Sequence, residues 1–177
     1  MTLDKVDVSE IDYIHYHKGS LHPLTVAVRI NSILHVFDWR DGIWEETENN
    51  IFSNASLYVE DVQLRNNGKS LGVLYKDNSF SSFERFNHLV PWEGIRHIIN
   101  KNYKSFSFSE NDKTIIMANK TCIEVYGKDK DESPSSTRFT QDIKKVQVSR
   151  GGQSVAVLQK IKDFMEIYLL LQFLVII

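Results

Sequence analysis

The sequence predicts an all-β fold made of repeated antiparallel units, and three observations predict it. Apolar residues recur at matched offsets in the stretches Val59 to Phe83, Tyr103 to Tyr126 and Ile143 to Tyr168. In each stretch a cluster of Asn, Asp or Gly follows the first apolar set, and a short apolar run comes next. Aligning Ala27, Gly72, Ile116 and Ala156 at the centres of these runs gives separations of 45 (27 to 72), 44 (72 to 116) and 40 (116 to 156) residues. A fixed period of that size is the mark of a repeated sheet-sized unit.

The opening strands are Val59, Val62 and Leu64, then Tyr103, Phe106 and Phe108, then Ile143, Val146 and Val148. Polar residues mostly separate the last two of each set, as in Val146-Gln147-Val148, so side chains alternate between the faces of a half-buried strand. Hairpin turns are expected at Asn66-Asn67-Gly68, Glu110-Asn111-Asp112 and Arg150-Gly151-Gly152, where Asn, Asp and Gly tolerate positive φ. The runs that follow, 70–74, 114–118 and 154–158, read as strands buried on both faces, with Gly72, Ile116 and Ala156 deepest. A third strand closes each unit on an aromatic, Phe83, Tyr126 or Tyr168. A weaker copy at the start pairs Leu24-Thr25-Val26-Ala27-Val28 with Ile33 to Trp39.

The units therefore span about 11–46, 59–86, 103–128 and 143–170, in a single region covering 1–177. The intervals 47–58, 87–102 and 129–142 must hold the remaining strand of each unit and its loops. The run Lys128 to Ser136 is charged and Ser-rich, the composition of a mobile surface loop. Trp92, in Leu89-Val90-Pro91-Trp92-Glu93-Gly94, is either a packing residue between units or an exposed anchor.

On the strand–turn–strand cores Val62 to Leu74 and Val146 to Val157, the chain resembles the WD-repeat β-propellers over about Ile11 to Leu170. The resemblance implies a partial β-propeller of about four WD-like blades of antiparallel strands, short of a closed ring. It also implies a non-catalytic interaction module or scaffold subunit. No Gly-His pair opens a unit, and Asp38-Trp39 stands in the reverse of the family's Trp-Asp order, which leaves the subclass open. In segment order, Ile33 to Gly42 followed by the Val62 unit is also similar to the N-terminal propellers of the large subunits of Golgi Rab exchange factors, which implies vesicle trafficking.

The 21 basic and 23 acidic side chains nearly cancel, so charge points to neither a nucleic acid nor an acidic membrane surface. Cys122 is the single cysteine and cannot form an internal disulfide; Met1-Thr2-Leu3-Asp4-Lys5 does not begin a secretory leader. Both features suit a reducing, cytoplasmic setting. The sequons at Asn54 and Asn119 would matter only in a secreted protein.

Candidate chemistry is sparse. His15, His17 and His22 could present imidazoles from one strand face, but no Cys or carboxylate cluster completes a metal site at a recognisable spacing. Ser79, Ser81, Ser82, Ser105, Ser107 and Ser109 sit in no nucleophile motif and read as the polar face of alternating strands. Glycine loops for phosphates are absent, and no catalytic, cofactor-binding or metal residue is assigned. Arg96, His97, Lys101 and Lys104 interleave with Trp92 and Tyr103 as a single-strand groove would, but Glu93 and the acidic run 129–132 dilute them. The expected partners are other proteins.

The apolar ending is read in two ways. Residues 171–177 either begin a further strand, whose open edge invites self-association, or are unrelated sequence. The second functional reading is a membrane-associated protein held by this segment. At 14 residues from Phe164 to Ile177, with Glu166 and Gln172 inside it, the run is shorter than the about 20 residues a spanning helix needs.

Overall fold

The structure, a computed structural model, describes residues 7, 11–16, 24–31, 33–47, 58–65, 68–88, 90–98, 102–109, 114–127, 133–149, 154–159 and 172–173. The chain divides into two compact units, residues 1–98 and 99–177. All regular elements among the described residues are strands.

The first unit holds two meandering sheets. Strands β1 (Ile11–Tyr16), β2 (Thr25–Ile30), β3 (Ile33–Arg40) and β4 (Ile43–Glu46) pair in chain order. So do β5 (Val59–Arg65), β6 (Ser70–Tyr75), β7 (Phe80–Glu84) and β8 (Glu93–Ile98). Tight turns use residues that accept left-handed backbone: Asn31 between β2 and β3, Asp41-Gly42 between β3 and β4, and Asn78 between β6 and β7. The second unit repeats the plan with β9 (Ser105–Phe108), β10 (Ile115–Ala118), β11 (Cys122–Tyr126) and β12 (Ser135–Arg138). Its other sheet is β13 (Ile143–Val148), β14 (Ser154–Gln159) and β15 (Gln172–Phe173).

The offsets seen in the sequence have a structural cause. In β1, β5 and β13 the register shifts at the same place, between Ile11 and Tyr13, Val59 and Asp61, and Ile143 and Lys145. One extra residue at such a bulge lets positions three apart face the same way. Val59, Val62 and Leu64 therefore share one face, as do Ile143, Val146 and Val148.

Sheets pack face to face within each unit. Ala27, Leu34 and Val36 of the first sheet meet Val59, Val62, Leu64, Leu71 and Val73 of the second. Ile116, Ala118 and Ile123 likewise meet Ile143, Val146, Val148 and Val157. Each of the Val, Leu and Ile side chains among these contributes about 1.5–3 kcal/mol when fully withdrawn from water.

Three expectations need correction. Strands β6 and β10 are buried throughout, but β14 is not, and Ala156 is exposed. The alignment itself is correct: Ala27, Gly72, Ile116 and Ala156 pair with His15, Gln63, Ser107 and Gln147 at one register position. Ala27 and Ile116 face a following sheet, and among the described residues none covers Ala156. Secondly, Ser135 and Ser136 belong to β12, paired with Val125 and Glu124, so the loop expected over 128–136 ends earlier. Thirdly, Gln172–Phe173 pairs with Val155 and Ser154, so these two tail residues form the third strand of the fourth sheet, at its edge, rather than beginning a further one. Tyr168, the other tail residues and the turn residues Asn66, Asn67, Asn111, Asp112, Gly151 and Gly152 lie outside the described set, so the membrane reading of the tail does too. No helix among the described residues is long and apolar enough to cross a membrane.

Burial decides which substitutions matter. Ile116→Asp is expected to unfold the second unit, because a carboxylate placed between two sheets has no partner, whereas Ala156→Asp should cost under about 1 kcal/mol. Equal losses in urea titrations of the two variants would contradict this assignment.

Candidate protein-interaction surface

At one end of the first unit, polar side chains of both sheets converge in a buried network. Thr25 opens β2 and pairs across the ladder with Asp38 near the end of β3, so both project toward the second sheet with Ala27, Leu34 and Val36. The Thr25 hydroxyl donates to Asp38 Oδ1 at 2.7 Å. Arg85, just past β7, reaches across: Nη1 donates to Asp38 Oδ2 and Nη2 to Asp38 Oδ1, each at 2.6 Å. Nη2 also donates to Thr25 Oγ1 at 2.6 Å, and Nε donates to the Gly68 carbonyl at 3.1 Å. The guanidinium carbon lies 4.3 Å from the centre of the Trp92 ring. Both charged side chains are 1% exposed. This two-pronged geometry suits arginine and not lysine.

His88 closes the network from the loop between β7 and β8. Its Nδ1 accepts from Arg85 Nη2 at 2.9 Å, and its carbonyl accepts from Arg40 Nη2 at 3.1 Å. Burial first, and the Arg85 charge second, push the imidazole below the ordinary histidine value of 6.5; Lys69 adds to this and Asp38 opposes it. A proton on Nδ1 would face an N–H of Arg85, which is the same conflict seen in hydrogen bonding.

The sign follows from linkage. With the folded value lowered, the unfolded chain takes up the proton first, so stability is full above the unfolded value and falls as pH drops through it. Melting temperature should therefore decline on acidification from about pH 7.5 to about pH 5 more steeply in the wild type than in His88→Asn. Parallel declines would show that His88 is not the group responsible.

Around this network the surface is apolar. Phe86, next to the locked Arg85, is 84% exposed. Leu24, Trp39, Ile43 and Val90 are exposed as well, and the Trp39 amide donates to the Leu24 carbonyl at 2.9 Å. Trp39 meets Trp44 edge to face at 5.2 Å between ring centres. Arg40, half exposed, joins the β3 end to the loop carrying Phe86 through its bond to His88. The arrangement offers an aromatic side chain on a loop whose backbone is already held, which lowers the ordering cost of binding.

Comparison with solved structures places this geometry. A chain in the crystal structure of the Mitotic Checkpoint Complex superposes with a TM-score of 0.60 at 12% identity, covering 86% of this chain and 46% of that one. The β-propeller domain of Cps50 (Swd1) from Myceliophteria thermophila superposes with a TM-score of 0.59 at 11% identity, covering 84% and 50%. The fold is a partial β-propeller. The propeller segment spans about half the length of these two chains. No family model matches the sequence, and no curated protein does.

The propeller fold settles several sequence alternatives. Trp92 is a packing residue, buried in the core between the first two blades and stacked on Arg85. Trp92 and Tyr103 are both buried, so neither offers a stacking platform to nucleic-acid bases; Lys104 is exposed, and Lys101 lies outside the described residues, as do the side chains of Arg96 and His97. The six serines read as a polar face are in fact buried. Ser105 and Ser107 accept from the Val146 and Val148 amides at 3.2 Å and 3.1 Å, so they bind the inner strand of one blade to the next. A small hydroxyl fits between two closely packed sheets and satisfies an amide there.

The side chains of His15, His17 and His22 lie outside the described residues, and among those described no group of three His, Cys, Asp or Glu could hold a metal. Cys122 is a partly exposed free thiol. In the second unit the Tyr103 hydroxyl donates to Glu124, Tyr126 donates to the same oxygen at 2.7 Å, and the two hydroxyls lie 2.6 Å apart. Burial and the Glu124 bond push Tyr103 far above the ordinary tyrosine value, so it stays a donor and ties the segment before β9 to β11. Sequence reasoning missed Arg85, Asp38 and Phe86. An Asp before Trp39 at a strand end was visible, but its partner lies 47 residues away.

Proposed function

We propose that this chain is a non-catalytic protein-interaction module that binds a protein partner through the strand-end surface around Phe86. The observation that carries this reading is an almost fully exposed phenylalanine beside a buried, fully bonded arginine. A partner would seat an apolar pocket on Phe86 and place acceptor groups against Arg40, giving an aromatic anchor ringed by polar contacts. In its finer form the module serves a vesicle-trafficking assembly in the cytoplasm, supported by the resemblance of Ile33 to Gly42 and the Val62 unit to Golgi Rab exchange-factor propellers.

Phe86→Asp should leave the melting temperature unchanged, since the side chain is 84% exposed, and weaken partner binding by at least about tenfold. Affinity capture with quantitative mass spectrometry, wild type against Phe86→Asp, identifies proteins that depend on this residue. Identical capture profiles would remove this surface from consideration. Purified Rab GTPases in the GDP-bound state test the trafficking form by interferometry, and absence of binding across them would end it.

A further inference from the structure

Most hydroxyl side chains of the sheets are covered, and Ser105 and Ser107 are bonded to the neighbouring blade. Among the described residues the exposed ones are Thr121, Ser133, Ser135, Ser136 and Thr140. Four of these five lie within the eight residues 133–140, around the outer strand β12. Ser135 and Ser136 are held in the ladder opposite Val125 and Glu124. Thr121 is tied into a turn, its amide donating to Asn119 Oδ1 at 3.2 Å and its carbonyl accepting from the Phe139 amide at 2.7 Å. Ser133 stands just ahead of the ladder, exposed, and its hydroxyl has no partner among the described residues.

Its neighbour gives that serine a chemical identity. The prolines of the chain are Pro23, Pro91 and Pro134, and the residues before them are His22, Val90 and Ser133, so Ser133 alone joins a hydroxyl to a following proline. Proline excludes the residue before it from helical backbone and holds it extended. Pro134 also brings no N–H. A cleft that offers no acceptor at the position after the reacting serine leaves an ordinary residue's amide unsatisfied, and proline alone escapes that cost. Asp131 and Glu132 precede the serine, which disfavours enzymes that read basic residues there. Access is open as well: β12 is the end strand of the order β12-β11-β10-β9 and has β11 as its one ladder neighbour among the described residues.

We propose that Ser133 is a phosphorylation site for a proline-directed protein kinase, presented on extended backbone at the rim of the second unit. In the transfer, Ser133 Oγ attacks the γ-phosphorus of magnesium-bound ATP. The Oγ–P bond forms, the bond from that phosphorus to the β–γ bridging oxygen breaks, and ADP leaves with the electron pair. The hydroxyl proton passes to the kinase's catalytic carboxylate. The product lowers the chain's formal charge of −2 by about two at neutral pH, beside Asp131 and Glu132. The site rests on nothing in the Phe86 surface.

The test uses the full, folded chain with magnesium, ATP and a purified proline-directed kinase of the cyclin-dependent or mitogen-activated type. Intact-mass spectrometry should show one phosphoryl group added, and peptide sequencing should place it on Ser133. Ser133→Ala should abolish incorporation. Pro134→Ala keeps the hydroxyl but restores an N–H, and should lower the initial rate at least about tenfold, as one unsatisfied amide in the cleft requires. Circular dichroism should be unchanged in both variants, since Ser133 lies outside the ladder and Pro134 gives it no N–H. No incorporation into the folded chain, incorporation only after urea denaturation, or a phosphate on another hydroxyl would each overturn the proposal. Equal rates for wild type and Pro134→Ala would overturn its proline-directed character.

Discussion

Replacing Asp38 with alanine is expected to destabilise the first unit by about 3–5 kcal/mol, the largest effect of any single polar substitution described for this chain. The cost does not lie in the lost attraction alone. Arg85 would keep its place, 1% exposed, with its charge uncompensated and its two N–H groups facing a cavity. Removing both partners is different: Asp38→Ala with Arg85→Met leaves no buried charge, and its cost should be well below the sum of the single losses. Urea titrations of the wild type, both single variants and the double variant provide the cycle. A coupling energy near zero would show that the pair is not the joint between the two blades. The His88→Asn variant belongs in the same series, because its loop is held through Arg85 and Arg40.

Gly68→Ala is expected to cost about 2–4 kcal/mol, through strained backbone and overpacking together. Gly68 has φ +81°, and a β carbon added there would stand 2.5 Å from both Cβ and Oγ1 of Thr25. Thr25 cannot move aside, since its hydroxyl donates to Asp38 and accepts from Arg85. The turn of one blade is thus pressed against the second strand of its neighbour, and the Gly68 carbonyl takes the remaining Arg85 donor. Gly42→Ala separates the two causes: its φ is +89°, yet nothing lies within 4 Å of an added carbon, so only the backbone cost of about 1 kcal/mol applies. Equal losses for the two variants would mean that close approach to Thr25 plays no part.

Each of these residues had a different visibility in the sequence. Gly68 was marked as a turn by Asn66-Asn67-Gly68, and a turn is what it forms, but the reason that only glycine fits is a threonine 43 positions earlier (25 to 68). The serines were legible as alternating with aromatics, and that alternation is real; what it could not carry was that the face occupied by Ser105 and Ser107 is covered by the next blade. By its sequence Trp92 suits core and anchor alike, as a tryptophan fits both, and Arg85 beneath its ring decides for the core. Phe86 gave no signal, since a phenylalanine one residue past a strand end reads as ordinary loop composition.

From its sequence alone, this protein's strand content, its repeat and the spacing of its first strands were determined, because these are set by neighbours within a few residues. Alternation follows from the two-residue period of a strand, turns follow from residues that accept positive φ, and the three-then-two spacing of Val59-Val62-Leu64 and Ile143-Val146-Val148 records a bulge. Tertiary structure decided what each face meets. Ala27, Ile116 and Ala156 share one register position and one kind of local sequence, yet the first two are buried and the third is exposed. Burial at that position is a property of the sheet packed on it, and the Asp38–Arg85 joint likewise exists only when strands 47 residues apart are brought together. Local pattern encodes a strand's own geometry, whereas contacts between sheets depend on distances that no short period in a chain can carry.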